Sequence, residues 1–262
     1  MLMTYKRKGL IWVLLFCLCR GSHLSGQQTT KQAPGFQVIV LAENGGHHID
    51  YSRAAKTWLN KLAADSNFSI SHIDNTNTIC DSLLDNCQLF IQLDYPPYGW
   101  TDKAAAAFQL YIEKGKGGWL GFHHASLLGA FDGYPLWQWF SGFMGGILYQ
   151  DYIAGFVRAT VYVEDKAHPC MKNMPDSFII EKDEFYTYDR SPRPNVHVIA
   201  TVDESSYTPA SVKKMGDHPV VWSNENVKAR NLYIFMGHSP GLFSNRAYTT
   251  LFRNALFWTA GR

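Results

Sequence analysis

The chain is poor in the signatures that announce the commonest chemistries. Of its 262 residues only five are cysteine, and no two of them have the spacing of a zinc knuckle. Cys17 and Cys19 fall inside an N-terminal apolar run; the others are Cys80, Cys87 and Cys170. In an exported chain Cys80 could pair with Cys87 and leave Cys170 odd, and plain buried thiols are the alternative. No cysteine stands at a strand end between glycines, and Ser126 is not on a Gly-x-Ser-x-Gly turn. The chain is therefore expected to lack a covalent nucleophile. Neither Gly-x-Gly-x-x-Gly nor a P-loop occurs, which leaves nucleotide binding without support. There is no basic stripe with interleaved aromatics, so nucleic acid is not an expected partner. Beyond residue 26 no apolar run reaches the length of a membrane span. No repeat, low-complexity block or linker divides the chain.

What is present begins with a leader. Lys6, Arg7 and Lys8 precede a short apolar run over residues 10–19, and residues 21–26 are small and polar. This is the pattern of a signal peptide over residues 1–26, cleaved near Gly26, for a periplasmic or secreted protein. A lipoprotein associated with the outer membrane is the alternative, although neither Cys17 nor Cys19 has the small neighbours of a good lipobox. Removing the leader takes Lys6, Arg7, Lys8 and Arg20 and no acid. Lys plus Arg falls from 24 to 20 against 22 acids, and the net charge moves from +2 to −2. Residues 27–262 are expected to form a single domain, and 46% apolar content is ample for its core. Aromatics reach 15%. Their flat faces suit sugar rings, but core packing is the commoner use. A homo-oligomer is left open.

The order of elements implies an α/β fold. Apolar runs at residues 36–41, 68–73, 87–93 and 117–122 read as strands. Between them, residues 52–64 carry an apolar helical face at Ala55, Leu59 and Leu62, and Thr101 is a good N-cap for a helix over 102–114. Alternation of this kind builds right-handed βαβ units and a parallel sheet. After residue 126 the pattern changes. Residues 131–143 read as a short helix and loop, and short strands follow at 155–163, 178–180, 196–201, 219–222 and 232–236. These suggest an antiparallel excursion beside the parallel sheet. Residues 248–259 close the chain as an amphipathic helix.

The chemistry-bearing residues collect where strands should end. Residues 117–122 run into His123 and His124, residues 36–41 run into Asn44, two glycines, His47 and His48, and residues 232–236 run into Gly237 and His238. Ligands of open α/β sheets bind outside the carboxyl ends of the strands. Three such junctions imply one shared pocket, although a single histidine is more often structural. Histidine exchanges protons near neutral pH and is the commonest metal ligand. Glu184 and Asp183 add carboxylates, with a solvated acidic turn as the plain alternative. Asp50, Asp94, Asp132 and Asp151 are weaker candidates. Tyr186 and Trp222 could shape a sugar site.

Taken in order, these motifs resemble the ThuA-like (trehalose-utilisation) family. The matching pieces are Gly121-x-His123-His124, Gly145-Gly146, His168-Pro169, Asp183-Glu184-x-Tyr186, Pro219-Val220-x-Trp222, Gly237-His238 and Asn254-Ala255-x-x-Trp258. The resemblance implies a flavodoxin-like, doubly wound fold of the class I glutamine amidotransferase-like type. In amidotransferases of that fold a cysteine occupies the turn that here holds His123-His124, so glutamine hydrolysis is not expected. It also implies a role in disaccharide and keto-sugar catabolism, with a small sugar as substrate. On residue type and position, the acid/base groups would be His123 or His124 with His238, and Glu184 a base or an orienting group. His47, His48, Asn44, Tyr186 and Trp222 would bind substrate. A divalent metal held by some of His48, His124, His238 and Glu184 is a variant. A non-catalytic carbohydrate-binding accessory protein is the alternative. Strand alternation should send His123 and His124 in different directions, leaving one of them to face the ligand.

Overall fold

Residues 38–42 are wholly apolar, as a strand buried on both faces must be. In the computed structural model, which describes residues 2–3, 35–43 and 45–262, they lie in β1 (Gln37–Ala42). The expected leader, except Leu2 and Met3, the lead-in up to residue 34 and Asn44 lie outside the described residues. Helix α1 (Ile49–Ser66) follows, then β2 (Ser69–Ile73), α2 (Asp81–Leu84), β3 (Leu89–Leu93), α3 (Asp102–Lys114) and β4 (Gly118–Phe122). The second half holds α4 (Gln138–Phe143), β5 (Tyr149–Tyr152), β6 (Val157–Val163), β7 (Ser177–Asp183) and β8 (Tyr186–Tyr188). It ends with β9 (His197–Thr208), β10 (Pro219–Ser223), β11 (Asn231–Ile234) and α5 (Arg246–Thr259).

Nine strands form one sheet in the order β2-β1-β3-β4-β11-β10-β9-β6-β7. The first five are parallel neighbours. Their order, second-first-third-fourth-fifth of the parallel set, is that of a flavodoxin-like doubly wound sheet. The pairs from β11 outward are all antiparallel, which is the expected excursion. Strands β5 and β8 form a separate two-stranded antiparallel ribbon.

Helices cover both faces, as the alternation along β4 shows. Trp119 packs its ring on Phe140 and Phe143 of α4, with centroids 5.9 and 5.0 Å away. Phe122 packs on Phe252 of α5 at 4.4 Å. Residues three apart on a strand point to opposite faces. Helix α1 joins α5 through Trp58 on Phe252 at 4.8 Å and a Tyr51–Tyr248 hydroxyl hydrogen bond of 2.7 Å. Helix α3 begins at its expected cap, where the Thr101 hydroxyl accepts from the Ala104 N–H at 3.2 Å.

Several boundaries differ from expectation. Helix α1 starts three residues before Ser52, so that His48 becomes the residue that enters it. Strand β9 runs on through Asp203–Ser206, and β7 runs on to Asp183. Helix α2 and the ribbon strands β5 and β8 have no counterpart among the expected elements. Cys80, Cys87 and Cys170 are all free thiols, so the Cys80–Cys87 pairing does not form. Among the described residues no helix is long and apolar enough to cross a membrane.

Candidate active site

The parallel strands end on one edge, and polar residues follow at once. Glu43 follows β1, Asp94 follows β3, His123 and His124 follow β4, and Gly237–His238 come just after β11. Counting reversals from β11 through β10, β9 and β6 leaves β7 parallel to β11. The carboxyl end of β7 therefore reaches the same edge and delivers Asp183 and Glu184. The crevice sits beside β1 and β3, where chain order reverses, which is where open α/β sheets bind ligands.

The turn after β4 is tight. His123 has a left-handed backbone (φ 37°), a conformation that costs a non-glycine residue about 1–3 kcal/mol. Three hydrogen bonds hold it. Its Nδ1–H donates to the Phe235 carbonyl at 3.1 Å, and its carbonyl accepts from Tyr233 Oη and Ser126 Oγ at 2.9 Å each. Gly237 makes the close approach feasible, because a Cβ there would lie 2.8 Å from that of His123. Alternation does not carry through this turn. The strand ends at Phe122 and the left-handed residue redirects the chain, so both rings join the cluster, nearly parallel with centroids 5.5 Å apart. His124 lines the cleft, whereas His123 is fully buried against Tyr186.

His48 is the hub. Its Nε2 lies 2.9 Å from His238 Nδ1, and its Nδ1 lies 3.5 Å from Asp94 Oδ2. Glu184 Oε2 lies 3.4 Å from His123 Nε2 and 3.3 Å from His238 Nδ1. His124 Nδ1 is 3.5 Å from both Glu43 Oε1 and Asp94 Oδ1. Asp94, with φ 52°, also accepts the His124 backbone N–H at 3.2 Å. Asp183 takes three backbone N–H groups, from Gly237, His238 and Ser239, at 2.8–3.0 Å. It thereby fixes the loop that presents His238. His48 Nδ1, Asp94 Oδ2 and His123 Nε2 are buried without a partner in hydrogen-bond geometry.

Burial, reinforced by the neighbouring rings of His124, His123 and His238, holds His48 far below the ordinary histidine value. Burial also lowers His123, although Glu184 pulls the other way. Both rings therefore take up a proton less readily than a free histidine. Burial pushes Glu184 up, but its contacts with His123 and His238 outweigh it and hold the carboxyl below the usual range. Burial pushes Asp94 and Asp183 up, against the backbone N–H groups and other groups that favour their charged forms. The site is rich in acceptors and poor in donors.

A cavity of about 500 Å³ opens over this cluster, within the usual size for small-molecule sites. His48, His124, Glu184 and His238 line it together with Glu43, Gly46, His47, Leu127 and four tyrosines, Tyr98, Tyr149, Tyr152 and Tyr186. His47 is exposed at the rim. Trp222 is not in the cleft, contrary to expectation. It lies on β10, whose five residues are all buried, and packs on Tyr233 at 4.4 Å. Of the weaker acids only Asp94 joins the cluster. Asp50 pairs with Arg53 and Asp151 with Lys213 near the surface, and Asp132 sits in an exposed turn.

Sequence reading passes over Glu43, although a carboxylate directly after a buried strand is an available signal. It also overlooks that Gly237-His238-Ser239-Pro240-Gly241 spells Gly-x-Ser-x-Gly. The structure gives that serine another task. Its hydroxyl caps a 3-10 turn, accepting from the Gly241 N–H, and its own N–H serves Asp183.

A flavodoxin-order sheet extended by antiparallel strands, with its polar cluster at the parallel strand ends, is a glutamine amidotransferase-like fold. The family model ThuA, described as trehalose utilisation, matches residues 37–259, and the chain belongs to that family. A crystal structure of a ThuA-like protein from Bacteroides uniformis superposes with a TM-score of 0.78 at 29% identity, covering 87% of this chain and 92% of that one. A ThuA-like protein from Parabacteroides merdae gives 0.63 at 18% identity over 87% and 90%. A protein from Thermoplasma acidophilum, described as part of a GMP synthase, gives 0.53 at 11% identity over 86% and 94%, a likeness of fold alone. No curated protein matches.

Proposed function

We propose that this chain is an enzyme of carbohydrate catabolism that acts on a disaccharide or its 3-keto derivative by proton transfer at the histidine cluster. The observation that carries the proposal is the cleft itself: imidazoles clustered with carboxylates under a tyrosine-lined cavity of about 500 Å³. Membership of a trehalose-utilisation family supports the substrate class. The leader-like N terminus supports a site of action outside the cytoplasm.

A ketone at C3 of a sugar acidifies the hydrogen on C2. His124 is the base in this scheme, since it faces the cleft and Glu43 and Asp94 flank its Nδ1. A proton kept on Nδ1 leaves Nε2 free to accept the one on C2. The C2–H pair forms a double bond to C1, the C1–O bond breaks, and the leaving oxygen takes the proton that His124 has accepted, which restores the base. Water added across the new double bond completes hydrolysis. His48, Glu184 and His238 line the cleft beside His124, and a proton or cation held among them would meet the charge gathered on the ketone oxygen. Tyr186, whose phenol burial keeps protonated, closes the wall.

The test is a panel of 3-keto-disaccharides offered to the purified protein. Turnover is expected, and His124→Gln should lower it by about 10²–10⁴ while binding persists. A panel left unchanged, with and without divalent metals, would overturn the enzyme proposal for this class. Binding without turnover, weakened by the same substitution, would favour the accessory-protein alternative.

A further inference from the structure

We infer that His48, His123, Glu184 and His238 form a binding site for one first-row divalent transition metal, zinc foremost. The inference deepens the proposed function and rests on it for the ion's role, but not for the ion's presence. One ligand atom from each of the four residues lies within 4.8 Å of all the others. The separations are 2.9 Å between His48 Nε2 and His238 Nδ1, and 3.3 and 3.4 Å from Glu184 Oε2 to His238 Nδ1 and His123 Nε2. Tetrahedral zinc with bonds of 2.0–2.1 Å spaces its ligands about 3.3 Å apart.

Hydrogen bonding fixes which atoms face inward. A carbonyl can only accept, so His123 donates from Nδ1 to Phe235. Its Nε2 then presents a lone pair, fully buried and unpartnered, toward a carboxylate oxygen. With the proton on Nδ1, Nε2 and the carboxylate oxygen are both acceptors 3.4 Å apart, and a shared proton or a metal ion between them would satisfy both. His48 differs: its Nδ1 lies 3.5 Å from the buried Asp94 Oδ2, outside hydrogen-bond geometry, so a proton on Nδ1 would favour Asp94 and leave Nε2 to face the cluster. Histidine ligands are held in this way, by a carboxylate or carbonyl on the far nitrogen. Asp183 fixes the loop of His238 through backbone N–H groups.

The donor set selects the metal. Three imidazoles and one carboxylate suit zinc and its neighbours, whereas calcium and magnesium prefer all-oxygen sites. A second grouping of His48, Asp94, His123 and His124 shares two of the same rings. It is the weaker set, because Asp94 already accepts the His124 backbone N–H and backs His48. Zinc held by the first set would stand at the cleft floor, where it would polarise a sugar ketone or hydroxyl as a Lewis acid.

The test is cobalt and zinc titration of the chelator-treated, dialysed full-length protein. The expected result is saturation at one equivalent per chain, by calorimetry for Zn²⁺ and by the visible bands of low-symmetry Co²⁺. Glu184→Gln and His238→Ala should each weaken binding by about 100-fold or more, and Asp94→Asn by about 10–100-fold. Wild-type protein with no saturable Zn²⁺ or Co²⁺ binding overturns the inference, and so does binding that both ligand variants leave unchanged. The wild-type titration stands even if a variant fails to fold. Metal binding without action on keto-sugars would retain the site and defeat the substrate proposal. Full turnover by metal-free protein that binds no added metal would do the reverse.

Discussion

At the scale of single residues, position relative to the strand ends decides what each histidine does. His123 and His124 are adjacent, yet one is fully buried and hydrogen-bonded to a carbonyl while the other lines the cleft. The left-handed turn at His123 produces that division. Gly237 permits it, and Gly237→Ala should cost about 1–3 kcal/mol through the clash of its Cβ with His123, read as a lowered denaturant midpoint. An unchanged midpoint would mean that this loop yields. Sequence makes the members of the cluster legible because histidine and glycine after an apolar run are conspicuous. Glu43 and Asp94 are less so, since an acid after a strand is common on any surface. Trp222 misleads because its motif sits on a strand whose every residue is buried, and nothing in one short run of sequence gives that burial.

At the scale of elements, the parallel half is legible and the ribbon is not. Strands β3 and β4 are buried at all five positions, which demands near-continuous apolar runs. Strands β5 and β8 are short and rich in tyrosine and polar residues, and β5 is partly exposed, so they carry no such run. The polar stretch Asp203–Ser206 conceals the second half of β9, where Glu204 is buried against His218. The link between β7 and the loop after β11 depends on Asp183. Asp183→Asn removes a charge that three N–H groups share. It should cost about 1.5–3 kcal/mol by chemical denaturation and lower activity through displacement of His238. Full activity in a destabilised variant would separate Asp183 from the site. Trp119→Ala, which empties the space against Phe140 and Phe143, should cost about 3–5 kcal/mol.

At the scale of the whole molecule, the site exists only because a parallel and an antiparallel half share one sheet edge. Glu184 arrives from the far end of the sheet, directly after β7, to meet rings that follow β4, β11 and β1. Burying neutral histidines makes the molecule acid-sensitive. His48 and His123 lie below the ordinary value, and burial lowers His168 to about 4. Below pH about 6.5 the unfolded chain binds protons at these positions and the native one does not, so stability falls as pH falls. Each such histidine contributes up to about 1.4 kcal/mol per pH unit, until its native value is reached. Asp94 and Asp183, raised by burial, act in the opposite sense, and Glu184 loses its contribution below about pH 4.5. The melting temperature in chelator should therefore drop between pH 7.5 and 5.5. A flat profile across that window would mean that these rings are not neutral in the native state.

In the proposed chemistry His124 takes a proton from the carbon next to a sugar ketone. Proton NMR of a 3-keto-disaccharide in D₂O with the metal-loaded protein tests it most directly. Wild-type protein should exchange or remove the C2 hydrogen far faster than buffer does, and His124→Gln should return the rate to near that of buffer. A C2 signal that persists unchanged with wild-type protein, while the sugar is bound, would rule out His124 as that base.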